Sequence, residues 1–484
     1  MAIKPSRETP PGTSRRAFLT ASAASAAAAA TSLVAGSAPA TGAPALTGGG
    51  GPGNPLHPQH PDAELRAILR DVNPANIEMI VRRLAGFGTR HTLSSQDDPV
   101  RGIGAARDWI FATLQSYAAA SGGRMTVELQ SFVQQPGPRL PVPTVITNVI
   151  ATLHGDSAPG RVYVVSGHYD SRVTDVMNAT SDAPGADDDA SGVAVAMELA
   201  RVMATRHSEA TIVFAAVAGE EQNLYGSTFM AQTMKAANTD VQGMFTNDIV
   251  GSSTAEDGTR DRRTVRLFAE GVPTSETPQQ AATRQNVGGE NDSATRQLAR
   301  FAADVADNGA TSMNIRLIWR RDRYLRGGDQ ISFVTQGYPA ARFTEPAEDF
   351  AHQHQDVRVE NGVQFGDLPE FCDFEYIAGV ARVNAATLWS LAQGPGTPKN
   401  VRILAATLTN NTTLRWNRGT EADLAGYEVV WRETTSPEWT HVIAVGDVTE
   451  ATIDLSKDNV FFGVRAVDTA GHHSPVAFPV PAAS

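Results

Sequence analysis

From Ala63 onward, apolar residues recur three or four positions apart: Leu65, Ile68 and Leu69, then Ile77, Ile80, Val81 and Leu84. That spacing lines one face of a helix. A longer amphipathic segment runs from about Ile103 to Ala120, with Trp109, Ile110, Leu114 and Tyr117 on one stripe. Short β-branched runs follow at Met125–Phe132, Thr147–Leu153, Val162–Ser166 and Thr211–Val217. Helical patterns lie between and after them, over 190–206, 224–237, 291–308 and 374–393. Strands alternating with helices predict an α/β fold whose central sheet is covered by helices on both faces.

The texture changes near Gly394-Pro395-Gly396-Thr397-Pro398. Beyond it, short alternating strands recur at roughly ten-residue spacing with no helical period, the pattern of an all-β sandwich over 394–484. Leu414-Arg415-Trp416, Tyr427-Glu428-Val429 and Phe462 to Asp468 resemble the strand signatures of a fibronectin type III module. Val460 stands where that family usually places the tyrosine of its corner motif. The module is read first as a spacer, with contact to a polymer or surface as the alternative.

The first forty residues read as targeting sequence rather than fold. Ser14-Arg15-Arg16-Ala17-Phe18-Leu19-Thr20 resembles a twin-arginine signal, followed by an apolar Ala/Ser run and small residues at Ala38-Pro39-Ala40. A signal peptide over 1–40 implies export to the periplasm or the exterior. Residues 41–62, with five glycines between Gly48 and Gly53, read as a flexible linker. Residues 63–393 are then left for a catalytic domain.

Charge and composition narrow the chemistry. Acidic residues number 52 against 40 basic ones, a formal net charge of −12, which disfavours nucleic acid as a partner. No stretch after the leader reaches the roughly 18 apolar residues of a membrane span. Cys372 is the one cysteine, so there is no intramolecular disulfide and no Cys-rich metal site. Any metal must be held by His, Asp and Glu.

Five stretches supply such groups. The apolar run Val162–Ser166 leads into Gly167-His168-Tyr169-Asp170. His168 thus emerges beyond the end of a strand, where α/β sites form, with Asp170 near enough to orient its imidazole. Gly185-Ala186-Asp187-Asp188-Asp189-Ala190-Ser191-Gly192 opens a helix. Solvated aspartates suit a helix start, but three in succession repel one another unless a cation sits among them. After Thr211–Val217 come Gly219-Glu220-Glu221. Adjacent glutamates can divide the roles of metal ligand and general base. Asp248 stands inside an apolar stretch, where an unpaired carboxylate is costly. His352-Gln353-His354-Gln355-Asp356 lies in a late polar loop. These N and O donors suit zinc, and they exceed what one tetrahedral ion needs. Two ions sharing a bridging Asp would use them all. A basic run, Arg320-Arg321-Asp322-Arg323-Tyr324-Leu325-Arg326, reads as a solvated loop or as a steering element at a cleft mouth.

Taken together, Gly167-His168-Tyr169-Asp170-Ser171, Asp188-Asp189-Ala190-Ser191-Gly192, Gly219-Glu220-Glu221, Asn247-Asp248 and the late His resemble the di-zinc peptidase family of secreted bacterial aminopeptidases. Glutamate carboxypeptidase and the glutaminyl cyclases belong to it too. The resemblance covers about 65–393 and implies the zinc-peptidase fold, with a mixed central sheet. It implies two Zn2+ per chain, with His168 and Asp248 on one ion, Glu221 and the late His on the other, and Asp188 as the bridge. It also implies Glu220 as catalytic base and Asp170 as the carboxylate that orients His168. The last ligand is His352 or His354 by the family's pattern, and the His-Gln pair in this loop favours His354. The family's transition-state tyrosine beside that His has no counterpart here, which directs attention to Tyr324 and Tyr338. The expected function is an exported, monomeric zinc aminopeptidase acting on peptide substrates. The alternatives are a carboxypeptidase or glutaminyl cyclase of the same family, and a non-catalytic binding or adhesion protein.

Overall fold

The computed structural model describes residues 51–406 and 408–482. The signal expected over 1–40, and the linker up to residue 50, lie outside the described residues. Strands β1 (Met125–Gln134), β2 (Thr144–Leu153), β3 (Ala158–His168), β4 (Ala210–Val217), β5 (Asp240–Asn247), β6 (Thr264–Phe268), β7 (Asn314–Ile318) and β8 (Ala340–Thr344) form one eight-stranded sheet in the order β1-β2-β4-β3-β5-β8-β6-β7. The sheet is mixed: β4, β3, β5 and β8 run parallel to their neighbours in that series, while β1 against β2, β2 against β4 and β6 against β8 are antiparallel. The four strong β-branched runs of the sequence are β1 to β4, observed one to six residues longer than their apolar stretches.

Helices cover both faces. They are α1 (Ala63–Asp71), α2 (Pro74–Ala85), α3 (Ile103–Ala119), α4 (Gly192–Met203), α5 (Tyr225–Ala236), α6 (Pro278–Val287), α7 (Ala294–Ala306), α8 (Gln330–Thr335) and α9 (Phe374–Gln393). The stripe Leu65, Ile68, Leu69, Ile77, Ile80, Val81 and Leu84 is buried in the larger core with α4 and α9. On the other face, Met230 and Ala231 of α5 pack with Phe333 and Val334 of α8 over Val164 and Val213. Two close approaches require glycine. A Cβ on Gly167 would lie 2.3 Å from Val193 N, and one on Gly192 would lie 2.0 Å from Asn247 O. With both, the start of α4 can sit against the ends of β3 and β5.

The parallel block fixes where chemistry can occur. Strands β3, β4, β5 and β8 are adjacent and point the same way, so their carboxyl ends share one edge of the sheet. The chain leaves those ends at His168, at Glu220-Glu221, at Asp248, and towards the loop that carries His354.

Residues 402–481 build one four-stranded sheet and three strands of a second, whose fourth is Asn54–Pro55, around Leu414, Trp416, Tyr427, Trp431, Phe462 and Val464. The sandwich packs directly on the α/β domain. Asp292, before α7, takes Arg432 of the sandwich at 2.7 Å and Arg300 of α7 at 3.4 Å, all three buried. Trp439 Nε1 donates to Gln297 Oε1 at 2.8 Å, and Arg161 of β3 meets Glu421 at 3.1 Å. Residues 51–62, read as flexible linker, are also engaged. Asn54–Pro55 pair with Val442 and His441 at the sandwich edge, and Trp431 Nε1 donates to Pro52 O at 2.8 Å. Asp62 caps α1 by accepting from Leu65 N. Backbone pairing is open to any composition, so glycine content alone did not reveal it. No described helix is long and apolar enough to cross a membrane.

Candidate metal centre

His168 terminates β3, and its Nδ1 faces the Asp170 carbonyl at 3.0 Å and Asp170 Oδ1 at 3.6 Å. The same Asp170 carboxylate accepts the backbone N–H groups of Glu220 at 3.2 Å and Glu221 at 3.1 Å. One buried acid thus fixes both the imidazole and the strand end that presents the two glutamates. Its pKa lies below the ordinary value although burial acts to raise it, because His168 and those two N–H groups favour the ionised form.

His168 Nε2 points at Asp188 Oδ1, 3.1 Å away, and at Asp248 Oδ1, 3.9 Å away. On the other side of Asp188, Oδ2 lies 2.8 Å from His354 Nε2, which is also 2.8 Å from Glu221 Oε1. His168, Asp188 and Asp248 form one group able to hold an ion, and Asp188, Glu221 and His354 form a second, with donor atoms within 4.8 Å of one another in each. Asp188 belongs to both. His352 is elsewhere: it stacks on Phe371 at 3.6 Å and faces Asp349. His354 adopts a positive φ of 56°, a left-handed conformation uncommon outside glycine that turns its ring inward.

The three consecutive aspartates have separate tasks. Asp189 accepts the N–H of His168 at 2.8 Å and of Gly192 at 2.9 Å. Asp187 accepts the N–H of Gly251 at 2.6 Å. Only Asp188 faces both histidines. Its loop is held from afar by Asp367, which accepts the N–H groups of Asp187 and Asp188 at 2.8 Å each.

Asp248 is held by Arg342 of β8, fully buried, at 2.8 Å from Oδ1. Arg342 also donates to the Asp248 carbonyl and to Gly327 O, and pairs with Asp322 at 3.4 Å. Burial raises the Asp248 pKa, with Arg342 opposing. Glu220 is raised well above its ordinary value, by burial first and then by Asp248, Glu221 and Asp329, with His168 opposing. Arg342, Asp367 and the buried Asp329 escaped the sequence reading. Only Asp329 left a trace, as the acid after Gly327-Gly328 beyond the basic run.

The donor set fits zinc: two imidazoles and three carboxylates, with Glu221 Oε1 buried and lacking a hydrogen bond of good geometry. Half of the basic run is neutralised, because Arg323 and Arg326 both pair with Glu348, at 3.2 and 2.7 Å. Neither nominated phenol stands in for the missing tyrosine. Tyr338 donates to Thr239 O, and Tyr324 is 77% exposed with Arg320 over its ring.

Comparisons with known proteins bear on family and fold. A model of Peptidase family M28 matches residues 148–360, the interval from β2 to just past His354. A probable zinc metalloprotease of Pyrenophora teres f. teres is 56% identical over 424 residues, covering 87% of this chain and 88% of that protein. One from Pyricularia oryzae is 57% identical over 427 residues, covering 87% and 85%. Among solved structures, the Legionella pneumophila LapA aminopeptidase superposes with a TM-score of 0.50 at 17% identity, over 68% of this chain and 75% of that one. That likeness is one of fold.

Proposed function

The chain belongs to peptidase family M28, and from that premise we propose that it is an exported aminopeptidase that uses two zinc ions to remove N-terminal residues from peptides. It is a zinc metalloprotease by family. The observation that carries the finer reading is the sharing of Asp188 between two groups of three donors. When bound, such an ion pair supplies an activated water and polarises the scissile carbonyl.

The remaining work falls to this chain's own side chains. Glu220 takes the proton of the attacking water and returns it to the leaving amine, a shuttle suited to a carboxyl whose pKa is raised by burial. Asp170 holds His168 and the Glu220-Glu221 backbone in register. Selectivity for a free N-terminus follows from charge. Two zinc ions would offset the three ligand carboxylates, so the reading rests on the cations: Arg342 is spent on Asp248 and Asp322, and Arg323 and Arg326 on Glu348, which leaves none of the three to grip a C-terminal carboxylate. Arg172 lies 3.9 Å from the Glu221 carboxylate, and Arg139 donates to the Glu221 carbonyl at 2.9 Å.

Export rests on the twin-arginine pattern of the first forty residues. The C-terminal sandwich is read as a fibronectin type III-like module, supported by Trp416 packed on Tyr427 and by the Tyr427 hydroxyl accepting the Gly419 N–H at 2.6 Å. A panel of peptides, free or acetylated at the N-terminus and free or amidated at the C-terminus, tests the specificity. Cleavage of the first residue should require a free amine and ignore C-terminal amidation. Cleavage that survives acetylation but needs a free C-terminal carboxylate would make the protein a carboxypeptidase.

A further inference from the structure

We propose that Arg172 is a specificity-determining residue that selects peptides carrying an acidic side chain beside the scissile bond, on the first or the second residue. This rests on the peptidase reading above and names a substrate class for the same site.

The centre opens on one side. The side chains of His168, Asp188 and Asp248 are 1%, 6% and 4% exposed, whereas that of His354 is 25% exposed. Substrate therefore approaches from the second group of donors. Arg172 stands on that side, two residues beyond Asp170, with its own side chain 15% exposed and its Nε 3.9 Å from Glu221 Oε2. That distance is too long for a hydrogen bond, so Arg172 does not clamp the ligand. Nε donates instead to Val173 O at 3.2 Å. Nε is also the atom of the guanidinium nearest Glu221, so both Nη groups lie farther from that acid. Among the described residues, neither Nη has a hydrogen-bond partner.

The charge of Arg172 is unmatched. Among the described residues, Glu221 supplies the one carboxylate within 4.0 Å of it, and Glu221 belongs to a group able to hold an ion. A carboxylate spent on an ion no longer balances the arginine. A largely buried cation without a counter-charge is costly, and an acid brought by the substrate removes that cost. The neighbouring arginines differ in this respect, since Arg342 has Asp248 and Asp322, and Arg323 and Arg326 share Glu348. Arg139, exposed on the turn between β1 and β2, donates Nη1 to the Glu221 carbonyl at 2.9 Å and adds a second cation beside the same residue. The planar fork of Nη groups matches a carboxylate with two parallel hydrogen bonds, which a neutral amide of the same shape cannot reproduce.

The test uses peptides amidated at the C-terminus, so that side chains alone bring carboxylates. One matched pair has Glu or Gln as the first residue, and the other has Glu or Gln as the second, with Ala elsewhere. The ratio of kcat/KM within a pair is read on a single preparation and does not depend on how much of the protein is active. The unaltered chain should favour Glu by about 10–100-fold in at least one pair, the range of a charge-assisted hydrogen bond. Arg172→Gln should abolish that preference, and Arg172→Glu should turn it towards Lys. Calorimetric titration with the α-hydroxamates of glutamic acid and of glutamine reads the first-residue preference as affinity, without turnover. Equal rates within both pairs would overturn the proposal, and so would a preference that Arg172→Gln leaves intact. Should that variant fail to fold or lose zinc, Arg172→Lys keeps the charge without the fork and should weaken the preference; an undiminished ratio there would overturn the proposal too. If no peptide lost its first residue, the aminopeptidase reading would fail instead, while the hydroxamate titration would still decide the preference for an acidic first residue.

Discussion

Lowering the pH should strip zinc from this protein in a way that the geometry of its two histidines sets quantitatively. With the ions removed by chelation, His354 lies between Asp188 and Glu221. Burial pulls its pKa down, but the two acids outweigh burial and push it up to about 10. His168 is raised well above its ordinary value, burial again opposing while Asp170 and Asp188 prevail. An imidazole must be neutral to bind metal, so each ion displaces at least one proton. At pH 7, removing a proton from a group of pKa about 10 costs three units of about 1.36 kcal/mol, or about 4 kcal/mol. Below the raised pKa values, the affinity of each site should therefore fall about tenfold per pH unit. The stability of the zinc-free protein should move the opposite way. A pKa raised above the unfolded value of about 6.5 gives stabilisation that is whole below that value and lost as pH rises through about 10. Calorimetric zinc titration in buffers of different ionisation enthalpy counts the protons released, and chelator competition at pH 6, 7 and 8 gives the slope. Affinities that do not vary with pH, with no proton release, would show that the imidazoles are neutral before metal arrives and refute the reasoning.

Two further outcomes follow from the same contacts. Glu220→Gln should keep its zinc and lose about 10²–10⁴-fold in kcat, while Glu221→Gln should lose one ion; the reverse pattern in metal analysis would mean the two roles are exchanged. Asp292→Ala leaves Arg300 and Arg432 buried without their shared acid and should cost about 3–5 kcal/mol of stability; an unchanged urea midpoint would contradict the docking of the sandwich.

Much of the centre was legible because its residues sit at ends of strong local patterns. Val162–Ser166 and Thr211–Val217 announce strands by β-branched composition, and His168 and Glu220-Glu221 are what the chain carries as each strand stops. Asp188 was harder, since three successive acids look alike until the fold gives Asp187 and Asp189 backbone N–H groups to bind. His354 over His352 needed the turn itself. The short strands β6, β7 and β8 have mixed sequences such as Thr-Val-Arg-Leu-Phe, whose charged residues break the apolar run. Arg342 shows why the supporting shell was invisible: it lies on β8, 94 residues from Asp248, and only sheet pairing brings them together. The sandwich contacts were hidden for a similar reason, because Asp292, Arg300 and Arg432 are ordinary charged residues until two folded surfaces meet.

The sharing of Asp188 is the claim on which the account stands, and zinc per chain in Asp188→Asn, set beside the unaltered protein after exhaustive dialysis, tests it most directly. The unaltered chain should retain two zinc ions, and Asp188→Asn should lose both together, because each group of three donors falls to two. An Asp188→Asn protein that is folded and still holds two ions would contradict a shared ligand.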